Sequence, residues 1–244
     1  MSIKFENTEV MNFEGAIRGM RNPLNSWDKS DSFACDGESC HYSKCVFAYC
    51  TGSENYDDNE CMLPDYANYV IGVNDLALMK KLIKAGSDHR KFMRQILVSV
   101  DITAPLYWWK EFDTYKVGTV SNSCSTMHKI ASKPIELSDF SIDDFYIDDD
   151  YNEISLEDMF FNVVADCETL RKKYIETEDK KYWRGLIQLL PESYNQKRTI
   201  TLNYETLYNI YGSRRGHKLD EWSIGFMEWI ESLPYANELI IDRS

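Results

Sequence analysis

The sequence has no long apolar run and no amino-terminal export pattern. None of its 244 residues belongs to a stretch that approaches the roughly 18 consecutive apolar residues a membrane helix needs. The opening residues, MSIKFENTEV, lack the basic segment followed by an apolar one that a signal peptide shows. We therefore expect a cytoplasmic protein that makes no contact with a membrane.

Positive charge is also scarce. The chain has 27 Lys and Arg residues against 40 Asp and Glu residues, which gives a net charge of -13 and a pI near 4.8. A general nucleic-acid-binding protein needs a basic surface, so we expect no nucleic-acid partner.

Two groups of basic residues stand out against this acidic background. The first group comprises Lys80, Lys81, Lys84, His89, Arg90, Lys91 and Arg94. The second group comprises Lys197, Arg198, Arg214, Arg215, His217 and Lys218. In an acidic chain such groups are typical of sites for phosphate or carboxylate, but a solvated surface with ordinary ion pairs gives the same pattern.

The cysteines do not have the spacing of a zinc site. Zinc ligands usually lie roughly two to four residues apart along the chain. Here a spacing of five separates the successive members of the run Cys35, Cys40, Cys45 and Cys50. The spacing favours a cysteine-rich surface insertion near residues 31–65 in a reducing compartment, with a zinc site or a disulfide as the alternative.

An acidic segment near residues 136–158 should be exposed. Within it Asp148, Asp150 and Asn152 alternate as calcium ligands do. However, Glu153 stands where such a loop needs Gly, and Met159 stands where it needs a bidentate Glu. We therefore predict no metal site.

The apolar pattern predicts mixed α and β structure with most helices in the second half. Residues 1–30 are interpreted as an alternating strand that leads into a loop. The elements predicted after that loop are, in order, a helix from Asn74 to Gly86, a strand over residues 94–101, a helix from Pro105, a helix from Ser155, a helix from Lys180 to Leu190, a strand from Arg198 to Leu202, a helix from Asn203 to Arg214 and a helix from Leu219 to Leu233.

The helix predicted from Ser155 carries an apolar stripe at helical spacing, and we expect the whole stripe to lie in the core. Its members are Leu156, Met159, Phe160, Val163, Val164, Cys167 and Leu170. Trp108 and Trp109 are likewise expected to pack in a core or a subunit interface.

The segment from Ala104 to His128 joins a helix to a polar loop: APLYWWKEFDTYKVGTVSNSCSTMH. The loop, residues 121–126, is a run of small polar residues that follows Lys116. Such a run is either a generic loop or an anion-binding turn whose backbone N–H groups point inward. Cys124 in this loop could act as a nucleophile, although no neighbour in the sequence would stabilise its thiolate.

The segment from Leu189 to Glu221 has the pattern of a turn, a strand and a helix: LLPESYNQKRTITLNYETLYNIYGSRRGHKLDE. Asn203 at the start of this helix could cap it or contact a ligand. Arg214 at its end could bind the last carbonyls, pair with an acid or reach a ligand, and we favour the ligand.

Taken in this order, the two segments resemble the active-site segments of the flavin-dependent thymidylate synthases, also called thymidylate synthase-complementing proteins. That family has a helix that ends in Arg-His-Arg, a loop rich in Ser, Asn and Glu, and then Ser-x-Arg-Tyr. In this chain, the positions of the family's Arg-His-Arg are occupied by Thr114, Tyr115 and Lys116, and of these only Lys116 is positively charged. By this resemblance Tyr115 and Lys116 would close over a flavin.

The same resemblance assigns the polar loop to the substrate. Glu111 stands where the family has a Gln that contacts the pyrimidine, and Asn122 stands on the Glu of the loop motif. Cys124, or Ser125 if the loop is one residue longer, takes the place of the active-site Ser. Thr126 replaces the Arg that holds the nucleotide phosphate.

The second segment matches the family without a gap. The resemblance implies that Asn203 and Asn209 contact the flavin and that Arg214 reaches the nucleotide. Glu205 replaces a flavin-contacting Arg, which is a reversal of charge. Upstream, GSDHRKFMR over residues 86–94 resembles the family's Gly-His-x-Ser-x-x-Glu-His turn, which helps to hold the flavin.

The candidate site residues fall into three roles. As catalytic residues we predict Cys124, Ser125 and Arg214. As cofactor-binding residues we predict His89, Arg90, Arg94, Tyr115, Lys116, Asn203 and Asn209. As substrate-binding residues we predict Glu111, Asn122, Ser125, Thr126 and Arg214.

The resemblance implies an α+β fold with a mixed or antiparallel sheet and a helical half, in which residues 1–244 form a single domain. It implies homotetramers, FAD as the cofactor, and NADPH and methylenetetrahydrofolate as co-substrates. The reaction would be the reductive methylation of dUMP to dTMP. The protein would orient the pyrimidine against the flavin, and the cofactors would carry the chemistry.

Two other functions remain open. Removing cations from a phosphate site would cost on the order of 1.5–3 kcal/mol each, and the departures from the motifs remove several. They favour a homologue that binds or modifies a nucleotide without thymidylate synthase activity. The acidic composition also suits a non-enzymatic interaction protein. For a ligand-binding function, the turn after Lys116 and the helix that ends at Arg214 should meet and line one cavity.

Overall fold

The computed structural model describes residues 3–34, 69–143 and 156–243. The chain divides into two compact units. The first unit comprises Met1–Phe5, Asp101–Tyr115 and Ser121–Thr199, and the second comprises Glu6–Val100, Lys116–Val120 and Ile200–Ser244. The single domain over residues 1–244 stays a prediction. The cysteine run at 35–61 and the rejected calcium loop at 148–153 lie outside the described residues.

The described residues form strands and helices in mixed order. The strands are β1 Lys4–Met11, β2 Phe33–Ala34, β3 Tyr69–Val70, β4 Leu97–Pro105, β5 Val120–Ser123 and β6 Asn195–Asn203. The α-helices are α1 Phe13–Arg21, α2 Val73–Lys84, α3 Leu106–Phe112, α4 Thr126–Lys129, α5 Leu156–Thr177, α6 Lys180–Leu189, α7 Tyr204–Arg214 and α8 Met227–Glu231. Shorter turns of 3-10 helix lie at Asn22–Leu24, Trp27–Lys29, Arg90–Arg94, Ile130–Ser132 and Leu137–Asp139. Two π-helical segments lie at Glu221–Phe226 and Asn237–Ile241. Among the described helices, none combines the length and the apolar composition that crossing a membrane requires.

The main sheet has the strand order β1-β4-β6-β5. Strands β4 and β6 run antiparallel, because Tyr204 N donates to Ile96 O over 3.1 Å while Leu106 N donates to Tyr194 O over 3.0 Å. Strands β2 and β3 form a separate antiparallel pair. The predicted α+β class, with an antiparallel sheet and most helical residues in the second half, is confirmed.

The apolar core of the first unit lies between α5, α6 and the segment 130–140. It contains Ile130, Ile135, Phe140, Phe160, Val164, Cys167 and Leu186. Burial raises the pKa of the Cys167 thiol to about 11, so this cysteine is a packing residue. Leu156 and Met159 of the predicted stripe are 41% and 53% exposed, so the prediction is wrong for these two. Helical spacing identifies the apolar face of a helix, but it does not tell where along the axis the packing partners end.

Helix α1 replaces the loop that the sequence predicted after the first strand. Its buried apolar residues recur at helical spacing: Phe13, Ala16, Ile17 and Met20. The pattern is hard to recognise because Gly15 and Gly19 interrupt a helix of nine residues and lower its helix propensity.

A buried ion pair ties α1 to α2 within the second unit. Arg21 Nε donates to Asp75 Oδ1 over 2.6 Å, and the two side chains are 4% and 0% exposed. The hydroxyls of Ser30 and Ser32 donate to Asp75 Oδ2 over 2.7 and 2.6 Å. Burial alone would raise the pKa of Asp75, but the hydrogen bonds from Ser32, Ser30 and Arg21 hold it below its ordinary value. The charged pair therefore stays charged and holds α2 in place.

Candidate functional site

The first unit contains a cavity of about 350 Å³ that holds three of the predicted site residues, Cys124, Ser125 and Thr126. Four lysines line it with them: Lys4, Lys129, Lys133 and Lys197. Its other polar lining consists of Thr103, Ser132, Ser138, Asp139, Tyr194, Asn195 and Gln196. We call this space the lysine cavity.

The lysine cavity has an excess of positive charge. Asp139 is the carboxylate among its described lining residues, and it forms an ion pair with Lys133. That hydrogen bond raises the pKa of Lys133, which keeps the ammonium charged at neutral pH. Lys197 lies 3.4 Å from Asp101, whereas Lys4 and Lys129 have no carboxylate partner among the described residues. A concave surface of this charge attracts anions.

The side chain of Gln196 fixes the loop that carries Cys124 and Thr126. The Gln196 amide is buried, and its Nε2 donates to Cys124 O and to Thr126 Oγ1, both over 2.9 Å. Because Thr126 Oγ1 accepts this bond, its own O–H can still donate to a ligand. The backbone of the loop is held as well, since Cys124 N donates to Lys197 O over 2.9 Å.

Arg198 holds the side chain of Gln196 in position. Its Nε donates to Gln196 Oε1 over 2.9 Å, and its Nη1 lies 2.7 Å from Asp113 Oδ1. The guanidinium stacks 4.2 Å above the ring of Trp109, whose Nε1 donates to Gln196 O over 2.9 Å. Arg198 therefore forms a structural ion pair. For the second group of basic residues, the sequence allowed either such ion pairs or a site for phosphate or carboxylate. Trp108 and Trp109 are 0% and 1% exposed, which confirms their predicted packing.

The helical side of the cavity is anchored by α5 and α6. Trp183 Nε1 donates to Met127 O over 3.0 Å, and Arg171 Nη1 donates to Ala131 O over 3.2 Å. Ser125 caps α4, because its Oγ accepts from His128 N over 3.2 Å. The Cys124 thiol is exposed and stands beside this cap. Two substrate candidates of this unit, Glu111 and Asn122, are not among the described residues that line the cavity.

In the second unit, two cofactor candidates, Arg90 and Arg94, meet at Glu205, and a third, Asn209, lies beside Arg90. Arg90 Nε lies 3.1 Å from Glu205 Oε1, and Arg94 Nε donates to Glu205 Oε2. Arg90 Nη2 also approaches Asn209 Oδ1 at 3.4 Å. Burial would raise the pKa of Glu205, but the hydrogen bonds from Arg94 and Arg90 lower it below its ordinary value. The carboxylate thus engages both guanidiniums and offsets one of their two positive charges. His89 is exposed beside this group.

The turn after Lys116 contacts the start of α7. Thr206 Oγ1 donates to Val117 O over 3.2 Å. Gly118 has φ +72, and a Cβ placed there would lie 2.4 Å from Asn203 Nδ2. Asn203 is the predicted helix cap, since its Oδ1 accepts from Thr206 N over 2.9 Å. The turn and the start of the helix thus meet.

Arg214 lies at the opposite end of α7, about 16 Å from its start at a rise of about 1.5 Å per residue. Its guanidinium stands 5.0 Å from the ring centroid of Trp222. The meeting of the turn and the helix therefore occurs at the end remote from Arg214. A shared ligand cavity for Lys116 and Arg214 stays a prediction, as does the flavin contact of Tyr115.

The sequence did not identify four of the residues that line the cavity. Lys4 and Lys133 lie outside both motif segments, whereas Tyr194 and Gln196 lie within the segment from Leu189 to Glu221 but had no assigned role. Gln196 and Arg198 alternate on one side of β6, and this alternation of polar residues could have indicated Gln196. Within the described residues, no group of three or more potential metal ligands is present.

No family model matches the chain, and no curated protein matches it in sequence. Solved structures do match it. Two crystal structures of the flavin-dependent thymidylate synthase ThyX from Helicobacter pylori, both with FAD and dUMP, superpose with TM-scores of 0.59 and 0.60 at 14% sequence identity. The match covers 98% of this chain in both cases, and 97% and 98% of the two ThyX chains. At this identity the likeness shows the fold: the chain has the ThyX-like α+β architecture over nearly its whole length.

Proposed function

We propose that this protein is a nucleotide-binding, nucleotide-modifying relative of ThyX in fold, and that it holds the phosphate of a pyrimidine mononucleotide in the lysine cavity. The observation that carries this proposal is the convergence of Lys4, Lys129, Lys133 and Lys197 on Ser125 and Thr126. Ammonium groups and hydroxyls are the donors that a phosphate dianion accepts from, and hydrogen bonds to a charged partner are the stronger ones.

The lysines compensate for the Arg that Thr126 replaces. Each ammonium is a point charge on a flexible stem, so several lysines can reach one phosphate without the planar geometry of an Arg fork. Thr126 then contributes a hydroxyl donor that Gln196 holds in position. Ser125 and the Cys124 thiol lie next to it on the same loop.

The size of the lysine cavity supports a mononucleotide. At about 350 Å³ it lies near the lower end of the range of roughly 300–1,000 Å³ that small-molecule sites occupy. The likeness in fold to two ThyX structures crystallised with dUMP supports a uridine nucleotide. Tyr194 and Asn195 at the wall are available for its base, and Asn195 is oriented by the hydrogen bond that its Oδ1 accepts from Ser141 over 2.7 Å.

The described residues do not fit FAD well. Asn203 uses its amide oxygen to cap α7, and Gly118 lies against its amide nitrogen. Arg90 and Arg94 are engaged by Glu205, which stands where the resemblance expects an Arg. These groups satisfy one another instead of presenting donors to an isoalloxazine ring.

A second candidate function is the reductive methylation of dUMP to dTMP with FAD, NADPH and methylenetetrahydrofolate. The observation that favours it is the near-complete likeness in fold to ThyX chains that were crystallised with FAD as well as dUMP. Homotetramers would accompany this function by the same resemblance. The non-enzymatic interaction protein has no comparable support, since it gives the lysine cavity no role.

A spectrum and a thermal-shift series separate these functions. The purified chain is titrated with FAD, dUMP, dCMP and dTMP, singly and in pairs, and its visible absorbance is recorded to detect bound flavin. We expect a mononucleotide alone to raise the melting temperature and no flavin band to appear. Bound FAD together with dUMP-dependent stabilisation would favour the methylation. No response to any nucleotide would contradict both functions.

A further inference from the structure

A second cavity, of about 820 Å³, lies within the second unit and is bordered by α2, by Tyr208 of α7 and by the carboxyl-terminal segment 238–243. Its described lining includes five cationic side chains: Lys80, Lys81, Lys84, Arg90 and Arg243. Glu238 and Asp242 are the carboxylates of that lining. The lining is therefore positive by three charges in a chain whose net charge is -13.

Tyr208 holds two of these cations in place. The guanidinium carbon of Arg90 lies 4.4 Å from its ring centroid, and that of Arg243 lies 4.1 Å from it. Arg243 also donates to the carbonyl oxygen of Tyr208, and Arg90 is further fixed by Glu205. Both guanidiniums are thus ordered before a ligand arrives, which reduces the conformational entropy that binding would cost.

The lysines of α2 are less well compensated. Lys80 lies 3.6 Å from Asp242, whereas Lys81 and Lys84 have no carboxylate within ion-pair distance among the described residues. Both of these lysines are exposed and stand three residues apart, where like charges on a helix repel. The negative end of the helix dipole favours lysines in the last turn. It does not explain why Arg243, from a distant part of the sequence, joins them.

We propose that this second cavity binds a small molecule with two or more phosphate groups in series, such as a nucleoside triphosphate, at a site separate from the lysine cavity. A chain of phosphates offers enough oxygen atoms to contact Lys81, Lys84 and Arg243 at once, whereas a single phosphate has fewer to share among them. The negative charge of a triphosphate also opposes the positive excess of this lining. The guanidinium of Arg243 supplies a planar pair of donors, and the lysines supply mobile point charges.

Calorimetric titration of the full chain with inorganic tripolyphosphate, ATP and orthophosphate tests this site. We expect tripolyphosphate and ATP to bind, and orthophosphate to bind at least about tenfold more weakly. Tighter binding of ATP than of tripolyphosphate would add base and ribose contacts to the site, and equal binding would assign the affinity to the phosphate chain. Orthophosphate that binds as tightly as tripolyphosphate, or no binding of any of the three, overturns the proposal.

Variants locate the binding. The double variant Lys81→Ala/Lys84→Ala should weaken tripolyphosphate binding by at least about tenfold. The matched control Lys173→Ala/Lys180→Ala removes two lysines of α5 and α6 that line neither cavity, and it should leave the affinity unchanged. If the first pair prevents folding, Arg243→Ala serves as the second variant, with the same expectation.

A variant of the lysine cavity tests whether the two cavities bind their ligands independently. Lys129→Ala/Lys133→Ala should weaken mononucleotide binding and leave tripolyphosphate binding intact. Loss of tripolyphosphate binding in that variant, or equal loss in the Lys173→Ala/Lys180→Ala control, would assign the effect to the other cavity or to overall charge, and either result overturns the proposal. Failure of mononucleotides to bind would contradict the proposed function alone.

Discussion

The side-chain amide of Gln196 donates a hydrogen bond of 2.9 Å to the hydroxyl of Thr126, the residue that stands where a phosphate-binding Arg was expected. The same amide nitrogen holds the Cys124 carbonyl. One buried side chain of β6 thus sets the geometry of the loop that borders the lysine cavity.

Replacing this amide should loosen the loop. Gln196→Leu keeps the side-chain volume but removes two donors and the acceptor of Arg198. We expect a loss of about 1–3 kcal/mol in the free energy of unfolding, and mononucleotide binding about tenfold weaker. Denaturant unfolding and calorimetry measure the two effects. Gln188→Leu, at an exposed position of α6, is the matched control and should change neither. Unaltered binding in Gln196→Leu would remove Gln196 from the site.

The lysines of the lysine cavity should contribute to nucleotide affinity through their charge. Lys4→Ala/Lys129→Ala removes two ammonium groups without a carboxylate partner among the described residues, so folding should be little affected. We expect nucleotide affinity to fall by about tenfold or more, since hydrogen bonds to charged groups contribute roughly 1.5–3 kcal/mol each when formed. The affinity of the unaltered protein should also fall as salt rises, and more steeply than that of the variant. An identical salt dependence in the two proteins would contradict a phosphate contact.

The anchor behind the cavity should depend on pH. Hydrogen bonds from Arg171 hold the pKa of Glu168 at about 2, below its ordinary value of 4.5. A folded-state pKa below the unfolded one gives stability that is complete above about pH 4.5 and is lost as pH falls toward about 2. Glu168→Gln should therefore lower the free energy of unfolding at pH 7 by about 1–3 kcal/mol, with the difference shrinking below pH 4.5. Urea unfolding at several pH values measures this, with Lys172→Ala, an exposed partner of Glu168, as a control of small effect. A difference that does not change with pH would mean that the ion pair is not formed.

Glu205 should be required to hold Arg90 and Arg94 together. Glu205→Ala leaves two neighbouring guanidiniums uncompensated, and we expect it to destabilise the fold by about 1–3 kcal/mol. Glu205→Arg, which installs the residue that the family resemblance expects, should destabilise more, because it places a third positive charge in the cluster. Thermal unfolding of the two variants shows which of them is less stable. If Glu205→Arg is as stable as the unaltered protein and gains a flavin absorbance band, the flavin-dependent function is favoured.

Alanine substitutions at three glycines distinguish the cost of backbone strain from the cost of a steric clash. Gly118→Ala should destabilise most, because φ is +72 and the new Cβ meets Asn203. Gly86→Ala shares the positive φ, at +101, but has open space around it, so about 1–2 kcal/mol is expected from strain alone. Gly216→Ala meets nothing within 4 Å and should be nearly neutral. Melting temperatures give the ranking, and an equal effect at Gly118 and Gly86 would show that the turn does not press on the cap.

The sequence predicted those parts of the fold that depend on local patterns. The cap at Asn203, the helix to Arg214 and the mixed order of strands and helices follow from residue types at fixed spacing, and the structure confirms them. The α+β class was implied by the family resemblance, and the structure confirms it as well. Helix α1 could not be recognised because two glycines weaken its short apolar face. The exposed start of α5 could not be foreseen because burial depends on partners from elsewhere in the chain.

The sequence predicted only those residues of the candidate site that lie close together along the chain. The loop with Cys124, Ser125 and Thr126 was identified, and it does border a cavity. Lys4 and Lys133 were not identified, since nothing in a linear pattern reports which distant side chains the sheet and the helices bring to that loop. For Arg90 and Arg94, the sequence suggested a negatively charged partner but could not show that Glu205 supplies it.

The lysine cavity draws its cations from three separate stretches of chain, namely Lys4, the segment 129–133 and Lys197. A phosphate group presents oxygen atoms in every direction, and an ammonium on any of these stretches can serve it equally well. The position of a positive residue within a sequence motif therefore says little about whether the fold can hold an anion. Proteins of this architecture are better compared by summing charge around the folded recess than by looking for an arginine at one motif position.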